Sequence, residues 1–372
     1  MSDNKTMSAA VFYGAGDVRV QQVPIPEVAA NDVLLKVSAV GVCGTDAHEF
    51  ASGPHMFPVN QLHIHSGHQG PMTLGHEIAG EVVAVGSEVR NFSIGDLVVS
   101  GAGVACQDCV QCSRGKTNLC ENYWTVGLQR NGGAAEYVSV PSTTLFDASG
   151  ISPDLAGIAQ PMSIAVHAVS RARVTDSDQV VILGVGGIGA FLTVALAEKA
   201  ASVAALDLDR QRLEIAKRNG ADFVSEVSRD QDVQKLKTEW GIRPTVIFEV
   251  SGTQAGLDSA LEWLEPGGRL VLVGLQHGEG ELNLRKLSLI EHEIIGTNAH
   301  VAGEDMPEAI RILRESRADW SLIAPEIYPL AQVVEEGLLP MVERRATRIK
   351  TLIGPSENSV RATAMDRKQR FP

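Results

Sequence analysis

Four cysteines in one polar loop form the pattern with the clearest chemistry. Their spacing is C-x2-C-x2-C-x7-C, and they are Cys106, Cys109, Cys112 and Cys120. Two thiolates separated by two residues can reach one ion, and four thiolates complete the closed tetrahedral site that holds structural zinc. Such a site has no open position, so its metal would stabilise the loop and take no part in a reaction. Free surface thiols or a redox pair are the alternatives, but a redox pair contains only two cysteines.

A second group of residues could hold a metal that does chemistry. Cys43 lies in the run Gly-Val-Cys-Gly-Thr-Asp-Ala-His, and His76 and Glu77 follow in the run Gly-His-Glu. A catalytic zinc combines mixed protein ligands with one open position for water or substrate. Spacing alone leaves a second interpretation open, because a buried cysteine is often just a small apolar residue and a single histidine is often structural.

A third motif, G-x-G-x-x-G, lies directly between a predicted strand and a predicted helix. Its residues are Gly184, Gly186, Gly187, Ile188 and Gly189. The first glycine permits a tight turn, the second lets the backbone approach a pyrophosphate, and the third lets helix and strand pack closely. The start of the helix then offers free N–H groups to the phosphates. The motif therefore predicts a dinucleotide site.

The residue that ends the next predicted strand indicates which dinucleotide is bound. Asp207 follows the glycines by about the 20 positions that this type of site requires. Its carboxylate would accept hydrogen bonds from the ribose hydroxyls of NAD and repel the extra phosphate of NADP. Arg210 and Arg212 are close enough in sequence to bind that phosphate instead. We expect NAD rather than NADP, with Arg212 as a further cofactor contact.

The elements that must position these motifs change in type along the chain. Residues 8–150 contain short β segments broken by glycine, whereas strands and helices alternate from residue 153 to about 300, as in a doubly wound parallel sheet. The last residues are polar and lack an apolar period. We therefore predict a β-rich catalytic domain that carries the zinc sites, a Rossmann domain, a return to the catalytic domain and a flexible tail. Their respective ranges are 1–155, 156–302, 303–354 and 355–372.

Length, charge and hydropathy exclude several classes of protein. A chain of 372 residues is too long for one ordinary core. The net charge of −13 makes nucleic acid a poor partner. No apolar run reaches the roughly 18 residues of a membrane span, and the N-terminus lacks the pattern of a secretory signal. We expect a cytoplasmic protein whose cysteines are thiols or metal ligands.

The run from Val40 to Val83 resembles the zinc-containing medium-chain alcohol and polyol dehydrogenases. In that family, G-x-C-G-T-D and G-H-E supply catalytic zinc ligands, and the cysteine loop and the G-x-G-x-x-G motif follow in the same order. The resemblance covers about residues 8–353. The segments 43–50, 52–54 and 73–77 are most similar to the 2,3-butanediol dehydrogenase branch, with sorbitol and threonine dehydrogenases as close neighbours. The fold that it implies is a Rossmann domain with a GroES-like catalytic domain.

The resemblance also implies roles for individual residues. Cys43, His76 and Glu77 would surround the catalytic zinc. Thr45 would form a hydrogen bond with the substrate hydroxyl, and His48 would pass the released proton toward solvent.

One position departs from the family pattern. The branch usually has Glu-Pro at the start of the helix that enters the Rossmann domain, with the glutamate near the zinc or bound to it, and here the pair is Gln160-Pro161. An amide oxygen can coordinate zinc, but less strongly than a carboxylate. The site would have one negative charge fewer, which makes zinc a somewhat stronger Lewis acid.

The functional expectation is an NAD-dependent enzyme with one catalytic and one structural zinc. Its substrate would be a small secondary alcohol or vicinal diol, with 2,3-butanediol and acetoin as the leading pair. The family resemblance implies a homodimer or homotetramer. A sorbitol-like polyol dehydrogenase is the first alternative. The second is a nucleotide-binding module without catalysis, which Gln160 favours and which the retained set of catalytic residues disfavours.

Overall fold

The chain divides into two compact units, each with its own core. The computed structural model describes residues 6–227, 238–275 and 278–365. Unit 1 comprises Met1–Gln160, Val301–Arg314 and Trp320–Pro372, and unit 2 comprises Pro161–His300 and Glu315–Asp319. These divisions lie close to the expected boundaries after residues 155 and 302, but the short stretch Glu315–Asp319 belongs to unit 2 and not to the returning segment.

The elements of the described residues are numbered in chain order. The strands are β1 Thr6–Gly14, β2 Asp17–Pro24, β3 Asp32–Val42, β4 Met72–Thr73, β5 Glu77–Val85, β6 Leu97–Ser100, β7 Gly103–Val104, β8 Trp124–Thr125, β9 Tyr137–Pro141, β10 Leu145–Asp147, β11 Gln179–Leu183, β12 Ser202–Asp207, β13 Phe223–Glu226, β14 Val246–Glu249, β15 Arg269–Leu272, β16 Glu293–Gly296, β17 Glu326–Pro329, β18 Thr351–Gly354 and β19 Arg361–Ala362.

The helices follow the same order. They are α1 Gly44–Ser52, α2 Val110–Ser113, α3 Pro153–Ala156, α4 Ala159–Ala172, α5 Gly187–Leu196, α6 Arg210–Arg218, α7 Gln254–Trp263, α8 Leu284–Leu289, α9 Ala302–Glu315 and α10 Leu339–Val342. Short turns of other helix types occupy Thr117–Leu119, Ser142–Thr144, Trp320–Leu322, Leu330–Gln332 and Val333–Leu338. Among the described residues, no helix combines the length and the hydropathy that crossing a membrane requires.

Unit 1 is built around a largely antiparallel sheet with the order β10-β6-β5-β3-β18-β17-β19, in which β9 also pairs with β3. The long strand β3 lies at its centre. Val33, Leu35 and Val37 alternate along this strand and pack into one core with Ile78 and Val82 of β5. This two-residue period is that of a strand with one face on a core. The sheet brings the ends of β3 and β5 together, which is where Cys43, His76 and Glu77 lie.

Unit 2 contains a six-stranded parallel sheet with the order β13-β12-β11-β14-β15-β16. Counted from β11, this is the order 3-2-1-4-5-6 of the doubly wound dinucleotide-binding fold. Residues 180–183 of the central strand β11 form a continuous buried apolar run, as expected for a parallel sheet covered on both faces. The predicted α/β class is therefore confirmed. The order reverses between β11 and β14, so the glycine motif that follows β11 lies where such folds bind their ligands.

The segment after residue 354 differs from the predicted flexible tail. Strand β19 pairs with β17, and the guanidinium of Arg361 holds both carboxylate oxygens of the buried Asp154 at 2.6 and 2.9 Å. The backbone N–H of Ala364 donates to the same carboxylate. Polar composition indicated a tail, but here the polar groups are bonded to unit 1. The prediction was wrong for residues 355–365, and residues 366–372 lie outside the described part of the chain.

The ion pair between Arg361 and Asp154 leads to a prediction about stability and pH. Replacing Arg361 with alanine should lower the free energy of unfolding by about 1.5–3 kcal/mol, the usual worth of hydrogen bonds to a charged group. Burial alone would raise the pKa of Asp154, but the hydrogen bonds from Arg361 and Ala364 outweigh it and lower this pKa below its ordinary value of 3.8. A pKa lowered by folding stabilises the protein above the unfolded-state pKa, and the gain is lost as the pH falls through the folded-state value. Urea titrations from pH 7 down to pH 3 should show the cost of the substitution shrinking below about pH 4.

The control is Arg345→Ala, which removes the exposed ion pair with Glu343. Exposed pairs contribute about 0–1 kcal/mol, so this variant should lose little stability at any pH. Equal losses of unfolding free energy in the two variants would contradict the role given to the ion pair between Arg361 and Asp154.

Candidate metal centres and cofactor loop

The turn that begins α1 presents two of the candidate site residues. Cys43 immediately precedes the helix, and its backbone N–H donates to Oδ2 of Asp46 at 2.9 Å. Asp46 is buried, so its carboxylate closes the first turn in a fixed geometry. Thr45 lies within that turn, with its Oγ1 3.8 Å from Sγ of Cys43. The thiol and the hydroxyl therefore reach the same small region.

The start of β5 presents the other two residues, and two glycines make room for them. Gly75, at φ +93°, turns the chain just before His76. Gly41 of β3 lies directly opposite Glu77 in the sheet. A Cβ at Gly41 would lie only 1.9 Å from Oε2 of Glu77. The carboxylate therefore occupies the space that any other residue at position 41 would fill.

Together these residues form a set that could hold a metal, in which His76 and Glu77 are buried and Cys43 is half-buried. One ligand atom from each of Cys43, His76 and Glu77 lies within 4.8 Å of the others. Within the described residues, Oε2 of Glu77 is buried without a hydrogen-bond partner. Buried polar atoms are normally satisfied, so an unpaired carboxylate oxygen beside a thiol and an imidazole fits a bound cation. A thiolate, an imidazole and a carboxylate form the mixed donor set of a catalytic zinc.

The charges around this set also favour a cation. Burial alone would lower the pKa of His76, but Asp46 and Cys43 raise it well above its usual value. Nδ1 of His76 lies 3.6 Å from Oδ1 of Asp46, and histidines that bind metals commonly donate their second N–H to a carboxylate. Asp46 therefore orients the His76 imidazole as well as the α1 turn.

A buried lysine completes the environment of Glu77. Nζ of Lys350 donates to Oε1 of Glu77 at 2.7 Å and to the carbonyl of Val42 at 3.1 Å. Burial by itself would lower the pKa of Lys350, but Glu77 and Cys43 raise it. Lys350 thus engages one oxygen of Glu77, and the other oxygen is the one without a partner.

Two further predicted residues have defined places in unit 1. His48 lies one turn beyond Thr45 on α1, with its side chain exposed. Gln160 is half-buried near the start of α4. Its role as a zinc ligand stays a prediction, as do the catalytic roles of Thr45 and His48.

The four-cysteine loop also assembles as one cluster. The sulfur atoms of Cys106, Cys109, Cys112 and Cys120 lie within 4.8 Å of one another. The backbone N–H groups of Cys112 and Glu121 lower the pKa of Cys109 to about 6. Four converging sulfur atoms, one of them readily ionised, fit a soft divalent metal in a closed site.

The glycine loop has the geometry that its motif predicts. Gly184 has a φ of +98°, which L side chains rarely adopt. A Cβ at Gly189 would lie 1.9 Å from the carbonyl oxygen of Gly184, so the close packing of helix and strand requires glycine there. A Cβ at Gly186 would lie 3.1 Å from the guanidinium of Arg212, so this cation lies against the loop. Gly187 and Ile188 form the first turn of α5.

Asp207 contacts this loop from the end of β12. Its Oδ2 accepts the N–H of Val185 at 2.7 Å, and its Oδ1 accepts the N–H of Asp209 at 3.0 Å. The carboxylate is therefore fixed beside the glycine motif. Its role in binding the ribose stays a prediction.

Sequence reasoning missed two residues of the metal centre. Asp46 belongs to the Gly-Thr-Asp run, but its two partners depend on the direction of its side chain. Lys350 lies immediately before β18, and a lysine beside the apolar residues of that strand was the available signal.

Comparison with known proteins agrees with this geometry. Residues 29–150 match the family model of the alcohol dehydrogenase GroES-like domain, and residues 184–315 match that of zinc-binding dehydrogenases. The chain is 30% identical over 331 residues to L-galactonate-5-dehydrogenase of Escherichia coli K12, covering 89% of this chain and 94% of that protein. It is 30% identical over 357 residues to (R,R)-butanediol dehydrogenase of Neisseria gonorrhoeae, covering 94% of this chain and 100% of that protein.

A solved structure shares the fold over nearly the whole chain. The crystal structure of 2R,3R-butanediol dehydrogenase from Bacillus subtilis superimposes with a TM-score of 0.86 at 28% sequence identity. The match covers 94% of this chain and 99% of the other.

Proposed function

Because the chain belongs to the zinc-binding alcohol dehydrogenase family with a GroES-like domain, we propose that it oxidises a secondary alcohol or vicinal diol to a ketone with NAD. The leading substrate pair is 2,3-butanediol and acetoin. The reaction converts alcohol and NAD⁺ to ketone, NADH and a proton. The observation that carries this proposal is the converging set of Cys43, His76 and Glu77 with the Thr45 hydroxyl beside it.

The metal centre supports this reaction type. Cys43, His76 and Glu77 would hold the catalytic zinc, with Gln160 as a further candidate ligand. Bound zinc supplies a Lewis acid that lowers the pKa of the substrate hydroxyl, and bound NAD supplies the hydride acceptor. Asp46 and Lys350 fix the ligands: Asp46 orients His76, and Lys350 restrains one oxygen of Glu77.

The proton has a short route through α1. Thr45 accepts the hydrogen bond of the substrate hydroxyl and takes its proton as the hydride leaves the carbinol carbon. The proton that Thr45 gives up in turn passes to His48, whose exposed imidazole releases it to solvent. Proton transfer through positioned side chains is worth about 10²–10⁴ in rate.

A polyol dehydrogenase is the second candidate. The relative that acts on L-galactonate matches the chain about as well as the butanediol relative does. A long polyol and a short diol present the same secondary hydroxyl to the metal, so the catalytic residues do not separate them. A nucleotide-binding module without catalysis is the third candidate. It is disfavoured because such a module would not need zinc ligands and proton-transfer residues together.

Two further expectations accompany the proposal. We expect a homodimer or homotetramer, which sedimentation analysis of the purified protein would measure. We also propose a cytoplasmic location, because the described cysteines form no disulfide bond and thiolate ligands suit a reducing compartment.

The decisive experiment is a substrate panel. Zinc-loaded protein and NAD⁺ are mixed with separated butanediol stereoisomers, sorbitol, threonine and simple cyclic alcohols, and NADH is followed by absorbance. Fast turnover of one butanediol isomer is expected. Turnover of sorbitol in its place would support the polyol alternative. No turnover by protein that binds both zinc and NAD would overturn the proposal in favour of the binding module.

The two metal sites should respond differently to loss of one ligand. Cys43→Ser is expected to remove the catalytic zinc and abolish turnover while the protein stays folded. Cys112→Ser is expected to remove only the structural zinc and to lower stability, because the loop around it has few apolar contacts. Metal analysis of each purified variant, with thermal unfolding and NADH formation, checks both. Loss of both metals from either variant would contradict the assignment of independent sites.

The identity of the residue at position 207 should control coenzyme choice. Asp207→Asn keeps an oxygen that can accept from Val185 but removes the negative charge that faces the ribose. We expect the ratio of kcat/KM for NAD over NADP to fall by about 10–100-fold, the worth of one hydrogen bond to a charged group. Initial rates with the two coenzymes measure the ratio. Asp222→Asn changes a carboxylate that accepts the backbone N–H of Val203 at the other end of β12, and it should leave the ratio unchanged. An unchanged ratio in Asp207→Asn would contradict the assignment.

A further inference from the structure

His55 has a partner that the proposed proton route already uses. The imidazole rings of His48 and His55 stack with their centroids 4.7 Å apart and their planes inclined by 26°. Both side chains are exposed. An exposed histidine on a helix would ordinarily sample several rotamers. Stacking on the second ring favours the His48 rotamer in which the two rings are in contact.

A buried acid fixes the place of His55. Glu49 is 1% exposed, and its carboxylate accepts the backbone N–H of His55 at 2.8 Å and that of Met56 at 2.6 Å. A Cβ at Gly53 would lie 2.4 Å from Oε2 of Glu49, so only glycine lets the loop pass so close to the carboxylate. The loop after α1 is therefore held by a charged group within the same unit.

Ser52 fixes the orientation of the His55 ring. Its hydroxyl donates to the backbone carbonyl of His48 at 3.3 Å and lies 2.9 Å from Nε2 of His55. Whichever of the two atoms donates, the hydrogen bond between Oγ of Ser52 and Nε2 of His55 holds the plane of that ring.

We propose that His55 is a positioning residue that holds the His48 imidazole in the orientation in which it receives the proton from Thr45. The inference rests on the proposed function, because it assigns no substrate contact to His55. His55 acts on His48 through the face of its ring. An aromatic ring without nitrogen should therefore replace it, whereas a small side chain should not.

Three variants test this assignment by kinetics. His55→Ala should lower kcat by about threefold to tenfold with little change in KM, the rate equivalent of one aromatic contact. His55→Phe keeps a stacking face and should restore most of kcat. His65→Ala, an exposed histidine of the same loop, is the control and should match the wild type.

A spectroscopic readout separates this inference from the proposed function. In protein labelled with ¹³C-histidine, nuclear Overhauser contacts between the two rings should be present in the wild type and lost in His55→Ala, whatever the substrate. An active wild type with an unchanged kcat in His55→Ala, or a His55→Phe variant as slow as His55→Ala, would overturn the positioning role. A wild type without turnover would instead overturn the proposed function itself.

Discussion

Replacing Thr45 with valine is expected to lower kcat by about 10²–10⁴-fold, the usual contribution of a positioned proton-transfer group. Valine has the shape of threonine without the hydroxyl, so the substitution removes the proton path and little else. Oγ1 of Thr45 lies 3.8 Å from Sγ of Cys43. This hydroxyl therefore lies beside the place where a substrate oxygen would approach the metal.

Steady-state NADH formation at saturating alcohol measures this effect, and Thr45→Ser is the matched control. Serine keeps the hydroxyl, so its kcat should stay within about tenfold of the wild type. Zinc content should be unchanged in both variants, because Thr45 is not a ligand. A valine variant with wild-type kcat would exclude Thr45 from the proton route. If the valine variant lost its zinc, the fall in kcat would be due to loss of the metal and not of the hydroxyl.

Local motifs carried most of what the sequence could predict. The G-x-G-x-x-G residues and Asp207 come from two successive strands and the helix between them, so their spacing already determines their proximity. The same holds for the cysteine loop, in which all four sulfur atoms come from one short segment. The parallel order of the sheet follows in turn from the alternation of strands and helices.

Pairs that are distant in sequence were not predictable in this way. Lys350 reaches Glu77 across 273 positions, and Arg361 reaches Asp154 across 207. In both pairs the sequence shows only an isolated charge beside apolar or polar neighbours. The antiparallel pairing of β18 with β3 brings Lys350 to the metal centre, and that pairing depends on the register of the whole sheet.

Residues with a visible motif could still have a hidden role. Asp46 lies in the recognised Gly-Thr-Asp run, but its dual contact with the Cys43 backbone and the His76 ring needs a known side-chain direction. His55 belongs to no motif at all. Its stacking on His48 depends on the path of a loop that the buried Glu49 holds in place. The spacing of residues in the sequence does not predict that path.

Replacing Lys350 with methionine is expected to lower the free energy of unfolding by about 3–5 kcal/mol, the cost of leaving a buried charge without its partner. Methionine has a similar length, so packing changes little. Glu77 is 1% exposed, and Lys350 is its hydrogen-bond partner in the described structure. Removal of the ammonium therefore leaves the buried Glu77 carboxylate without an ion-pair partner and without water to replace it. Urea unfolding of metal-free protein measures the loss, with Lys36→Met as the exposed-lysine control on β3.

The double variant Lys350→Met with Glu77→Gln separates the charge from the shape of the pair. Removing both charges should recover much of the stability, because a neutral amide is far cheaper to bury than an unpaired carboxylate. Zinc should reduce the cost of Lys350→Met alone, since a cation beside Glu77 replaces part of the lost charge and binding to the native state adds to its stability. If the single and double variants lost the same stability, with or without zinc, Lys350 would act through packing, and the charge balance assigned to this centre would be wrong.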